Sequence, residues 1–79
     1  MDENEIKALL QAGLGDAQIE LVSEGNKIGL RLIGNVFEGL SRVKRQQRVY
    51  SILDEKIASG EIHAVTMTCQ TPAEHEANG

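Results

Sequence analysis

Histidine and cysteine are the side chains best suited to hold a metal, and the chain carries His63, Cys69 and His75. His63 stands at the start of the strand-like run Ile62 to Thr68, just after Ile62 and in phase with Val65, Met67 and Cys69. A histidine at a strand end stands near the rim. Two readings stay open there: a half-buried ring bonded to backbone, or a neutral imidazole acting as a metal ligand. An extended run from His63 to Cys69 separates the two by roughly 20 Å at ~3.3 Å per residue, too far for one mononuclear site. His75 lies beyond the bend at Pro72 and reads as a solvated surface residue. A metal bound through His63 therefore needs ligands from another molecule. Cys69 has no CxxC partner and no cation adjacent in sequence to depress its pKa, so it reads as a small strand-end apolar residue.

Other chemistry finds no purchase. No Gly-x-Ser-x-Gly turn is present to expose a nucleophile. Asp54 and Glu55 are neighbours that diverge on a helix and form no acid/base couple. The expectation is a protein that is not an enzyme. Arg42, Lys44, Arg45 and Arg48 place half of the eight basic residues in seven positions. Such a run is either a solvated helical face or a contact for an anionic partner, whether phosphate, carboxylate or acidic protein. The net charge of −4 argues against general coating of nucleic acid, which rests on accumulated positive charge. Phe37 and Tyr50, the only aromatics, are too few for stacked base platforms.

The elements that position these residues follow from periodicity. Ile6, Leu9, Leu10 and Leu14 recur at helical spacing over 4–14, with Asp2 and Glu5 as a capping box and Gly13 and Gly15 as the stop. Ile19, Leu21 and Ser23 alternate with polar neighbours. Ile28, Leu30 and Leu32 do the same after Glu24-Gly25-Asn26-Lys27, which predicts a hairpin. Phe37 anchors the following loop. Ser41 caps a helix over 42–58 whose apolar side is Val43, Val49, Tyr50, Ile52, Leu53 and Ile57, while its polar first half projects or kinks away. Ile62 to Thr68 is a third strand, and Thr71-Pro72-Ala73-Glu74 starts a short last helix. The order α-β-β-α-β-α predicts a two-layer α+β domain over 1–79, with a three-stranded mixed sheet and helices on one face. If the third strand runs parallel to a neighbour, the 42–58 helix is its crossover. This is the order of a type II KH-like fold. A KH-type RNA clamp is not expected, because no GxxG loop lies between the helices.

A domain of this size buries about 60% of its unfolded surface and has a thin core. One cysteine makes no internal disulfide, the chain starts acidic, and no apolar run approaches the ~20 residues of a membrane span. The expectation is a cytoplasmic domain without membrane contact.

Phe37-Glu38-Gly39-Leu40-Ser41-Arg42, then Gln46-Gln47-Arg48-Val49-Tyr50, then Ile62-His63-Ala64-Val65, then Thr71-Pro72-Ala73-Glu74 together resemble the BolA family. Within it they resemble the short IbaG/YrbA branch. The resemblance implies a non-catalytic partner of monothiol glutaredoxins in iron–sulfur cluster handling, a monomer when alone. It implies a [2Fe–2S] cluster held only in complex with a glutaredoxin and glutathione, with His63 as this chain's ligand. Imidazole in place of thiolate raises a cluster's potential and makes ligation sensitive to protonation. The family's second ligand, His or Cys, falls in or just after the hairpin turn, here at Asn26 and Lys27. Lysine is a poor iron–sulfur ligand, which leaves a differently coordinated complex or a cluster-free heterodimer open. Longer members are linked to transcriptional regulation by DNA binding. On that reading Arg42, Lys44, Arg45 and Arg48 contact DNA, or else dock an acidic face of the glutaredoxin.

Overall fold

The first helix begins where Asp2 turns its carboxylate onto the Asn4 and Glu5 amides, at 3.0 and 3.2 Å, satisfying two of the donors a helix start leaves free. The box is one-sided, because the Glu5 carboxylate goes to Lys56 instead. This is α1, Glu3–Leu14. Its Ile6, Leu10 and Leu14 are buried. The structure, a computed structural model, describes residues 1–78.

The hairpin pairs β1 (Gln18–Glu24) with β2 (Lys27–Ile33) in antiparallel register, Leu21 opposite Leu30 and Glu24 opposite Lys27. Gly25 sits at φ 62, the glycine place at the first central position of a II′ turn. Ile28, Leu30 and Leu32 are buried, while Lys27 and Arg31 on the other face are exposed. Ile33 departs from that alternation. It is 6% exposed, enclosed at the sheet end where Val36, Pro72 and His75 share a groove with it.

A short 3₁₀ turn, Asn35–Phe37, buries Phe37 completely. Ser41 then caps α2 (Arg42–Ile52), its hydroxyl accepting from the Lys44 amide at 3.3 Å. The predicted single helix over 42–58 is two: Leu53 leaves helical geometry at ψ 7, and α3 runs Asp54–Ala58. Leu53 is fully buried and keeps bonds on both sides, its amide to the Val49 carbonyl and its carbonyl from the Ile57 amide. The helix is therefore interrupted at this core residue without a side-chain cap.

The third strand, β3 (Ala64–Gln70), starts two residues later than predicted and lies parallel to β2, Leu30 opposite Met67. The sheet order is β1-β2-β3, so α2 and α3 form the crossover. Val65, Met67 and Cys69 pack against the core. Ile62 precedes the strand and is buried in the loop, its amide bonded to the Lys56 carbonyl at 3.1 Å. The last helix, α4 (Pro72–Asn78), opens with the reciprocal box expected of Thr71 and Glu74. Thr71 Oγ1 accepts from the Glu74 amide at 3.2 Å, and the Glu74 carboxylate accepts from the Thr71 amide at 2.9 Å. No helix among the described residues is long and apolar enough to cross a membrane.

Candidate functional site

The polypeptide on either side of His63 is fixed. Ile62 before it is locked in the core, Ala64 after it begins β3, and the His63 amide donates to the Asn26 carbonyl at 2.8 Å. That bond ties the residue to the hairpin turn. The side chain is free of such ties. His63 is exposed, and among the described residues neither ring nitrogen has a hydrogen-bond partner. Gly60 turns away at φ 84, and a side chain there would reach within 3.7 Å of His63 Nε2. The result is an accessible imidazole on a rigid stem.

The turn residues differ in how they meet this ring. Asn26 touches His63 through its carbonyl. Lys27 opens β2 beside Ala64 on the open face of the sheet. Neither offers a soft ligand. Among the described residues no group of three or more His, Cys, Asp or Glu side chains could hold a metal ion. Cys69 lies near the opposite end of an unbroken β3, and His75 lies beyond it on α4. The soft donor this chain brings to the hairpin end is therefore the His63 imidazole, which fits a metal group completed from outside and not one enclosed by the chain itself.

The basic run does not form one surface. Arg45 turns inward, its side chain only 13% exposed. Its Nε donates to the Leu40 carbonyl at 2.9 Å and its Nη1 to the Cys69 carbonyl at 3.1 Å. Its two Nη atoms hold the Glu74 carboxylate at 2.6 and 3.2 Å. Rather than projecting, the first half of α2 is thereby strapped to β3 and α4. Arg42, Lys44 and Arg48 stay exposed, with Arg48 reaching the Gly13 carbonyl at 3.5 Å. Arg45 is thus withdrawn from any contact with DNA or an acidic partner. Sequence reasoning missed this role. The available signal was Glu74, an acid placed to cap α4 and still short of a cation.

Bidentate contact with Arg45 holds the Glu74 carboxyl down at about 2, helped by the Thr71 amide. Burial pushes the Cys69 thiol up, with Arg45 opposing more weakly. Val43 and Tyr50, predicted on the apolar side of the helix, are 61% and 43% exposed. The core side of α2 runs instead through Val49, Ile52 and Leu53.

The description "BolA-like protein" fits residues 10–74 as a family model. The chain belongs to the BolA family. The acid stress protein IbaG of Escherichia coli strain K12 is 40% identical over 74 residues, covering 94% of this chain and 88% of that one. The BolA domain of SufE1 from Arabidopsis thaliana superposes with a TM-score of 0.84 at 26% identity, covering 94% of this chain and 98% of that one. BolA1 of Mus musculus superposes with a TM-score of 0.80 at 29% identity over 96% of this chain and 69% of that one. The α+β BolA-like fold, with its three-stranded mixed sheet, is shared with these structures.

Proposed function

We propose that this BolA-family protein is a non-catalytic partner of monothiol glutaredoxins in iron–sulfur cluster assembly or trafficking, contributing His63 to a bridged [2Fe–2S] cluster. The observation that carries the reading is the lone, exposed imidazole on a fixed stem. Among the described residues no three His, Cys, Asp or Glu side chains converge there to enclose a metal, so the ligation is shared between molecules. Bound there, the cluster would supply iron ligated by nitrogen on this side and by thiolates of the glutaredoxin and of glutathione on the other. The role of this chain is to present Nε2 or Nδ1 in neutral form and to hold the backbone still while the partner approaches.

Asn26 and Lys27 lack the second ligand the family usually places near the turn. On this reading the holo complex rests on His63 alone, and a heterodimer without cluster is its fallback state. Anaerobic reconstitution with a monothiol glutaredoxin, glutathione, iron and sulfide tests it by visible circular dichroism. His63→Ala is expected to abolish the bands of the heterocomplex. Lys27→His and Asn26→His are expected to sharpen them, and the better of the two identifies the turn position that faces the cluster. A heterocomplex spectrum unchanged by His63→Ala would remove the ligand assignment.

A further inference from the structure

β3 is an edge strand, paired with β2 on one side only. Successive residues of a strand direct their backbone groups to opposite sides. The Gln70 carbonyl accepts from the Gly34 amide on the β2 side at 2.9 Å, so the even-numbered residues of β3 face β2 and the odd-numbered ones face outward. On that outer side Arg45 takes the Cys69 carbonyl. The amides and carbonyls of Val65 and Met67 are left without a protein partner among the described residues. Edges are ordinarily guarded by charge, proline or a bulge. β1 carries Glu20 and Glu24, whereas Ala64–Gln70 contains no charged residue and no proline. Above the free edge, Gln46 lines a groove with Met67 and Thr68, and the exposed Val43 and Tyr50 flank Gln46 on the same helical face.

We propose that this edge is a self-association surface. Two copies pair β3 antiparallel about a two-fold axis through Thr66 and join their sheets into one. Val65 of each copy then meets Met67 of the second, and those two pairs use the outward amides and carbonyls of both residues, leaving the Cys69 amide outside the pairing. Thr66 meets its own copy in the intervening non-hydrogen-bonded pair, about 4.5 Å apart at Cα, where a threonine–threonine contact is favourable.

Charge selects a second copy over a foreign strand. Arg42 lies in the groove at the Thr68 end. Asp54 and Glu55 open α3, whose Lys56 carbonyl bonds Ile62 just before β3, and Glu61 follows in the same loop. The Lys56 ammonium is already held by Glu5 and Glu61, so this end is net acidic through Asp54 and Glu55. Antiparallel pairing brings the cationic end of one copy to the acidic end of the second, twice. A uniformly charged foreign segment would match only one of those ends. The monomer expected from sequence is then the dilute form of a monomer–dimer equilibrium, an isologous one.

Sedimentation equilibrium of the full chain, from about 10 μM to about 1 mM, is expected to show reversible dimerisation. Thr66→Lys, at an exposed position, sets like charges across the axis and is expected to raise the dimer Kd at least tenfold with an unchanged far-UV spectrum. Thr66→Cys in a Cys69→Ser background, treated with oxidised glutathione, is expected to form a covalent dimer at physiological pH, each intermolecular disulfide reducing one oxidised glutathione to two glutathione thiols. A chain that stays monomeric to about 1 mM, a dimer indifferent to Thr66→Lys, or a Thr66→Cys variant that fails to cross-link would each overturn the proposal. None of these readouts involves a cluster, so they are independent of the His63 reading.

Discussion

The Arg45 guanidinium uses all three of its nitrogens, on two carbonyls and one carboxylate. Arginine's planar fork suits this arrangement, and lysine could satisfy only part of it. Since the Glu74 carboxyl is lowered from 4.5 to about 2, the folded state binds its proton less readily than the unfolded chain does. The stabilisation is therefore complete above the ordinary carboxylate range and is lost as pH falls toward and through about 2. Glu74→Gln is expected to lower the urea midpoint at neutral pH and to flatten its decline between pH 4.5 and 2. An acid limb as steep as that of the parent chain would show that other carboxylates control it. Cys69 belongs to the same neighbourhood. Its burial raises the thiol pKa and so reduces the thiolate that alkylating agents attack. Iodoacetamide at pH 8 is expected to label Cys69 several-fold more slowly in the folded chain than in urea, and equal rates would contradict the burial argument.

Two glycines show how elements are brought together, and they differ in what a methyl group would meet. A Cβ on Gly34 would fall 2.8 Å from Ala17 Cβ and 3.1 Å from Ala17 Cα. Backbone would have to move, so Gly34→Ala is expected to cost about 1–3 kcal/mol. A Cβ on Gly13 would fall 2.5 Å from Ile52 Cδ1 and 2.7 Å from its Cγ1, one branch of a side chain that can change rotamer without moving backbone. There the clash is offset by the roughly 0.8–1 kcal/mol that alanine gains over glycine inside a helix. Gly13→Ala is expected to cost less than half as much as Gly34→Ala in parallel urea titrations. If Gly13→Ala proves the worse, the contact between α1 and α2 is more rigid than that between the β2 exit and Ala17. These contacts are invisible in sequence, where Gly13 reads as part of a helix stop. What sequence does carry is local. Alternation marks Ile28, Leu30 and Leu32, and cap chemistry marks Ser41 and the Thr71–Glu74 box, because each depends on near neighbours along the chain. The break at Leu53, the burial of Ile33 and the inward turn of Arg45 depend on partners far away in sequence. His63 was legible as a rim residue from its place before an apolar run, yet its bond to Asn26 required the parallel pairing of β2 with β3.

Across the whole molecule, a body 35 Å long, the exposed cations of α2 stand away from the hairpin end. Glu3 contacts Ser23, and Lys56 bridges Glu5 to Glu61. Acids thereby gather at the hairpin end with His63, while Arg42 and Lys44 lie toward the other end at the start of α2. A DNA-binding role would use that second region, and withdrawal of Arg45 leaves it three exposed cations: Arg42, Lys44 and Arg48. Neutralising three phosphates gives a salt slope of about −2.7 in log K against log salt. Against a net charge of −4, that supports only weak, non-specific binding. Fluorescence anisotropy with a labelled duplex is therefore expected to detect association only below about 50 mM salt and to lose it by about 150 mM. The triple variant Arg42→Gln, Lys44→Gln, Arg48→Gln is expected to abolish it while leaving the glutaredoxin complex intact, because His63 lies at the far end of β3. Tight binding that persists at the higher salt, or a triple variant that binds duplex as well as the parent, would show a nucleic-acid surface elsewhere. It would also make DNA recognition the stronger account of this chain.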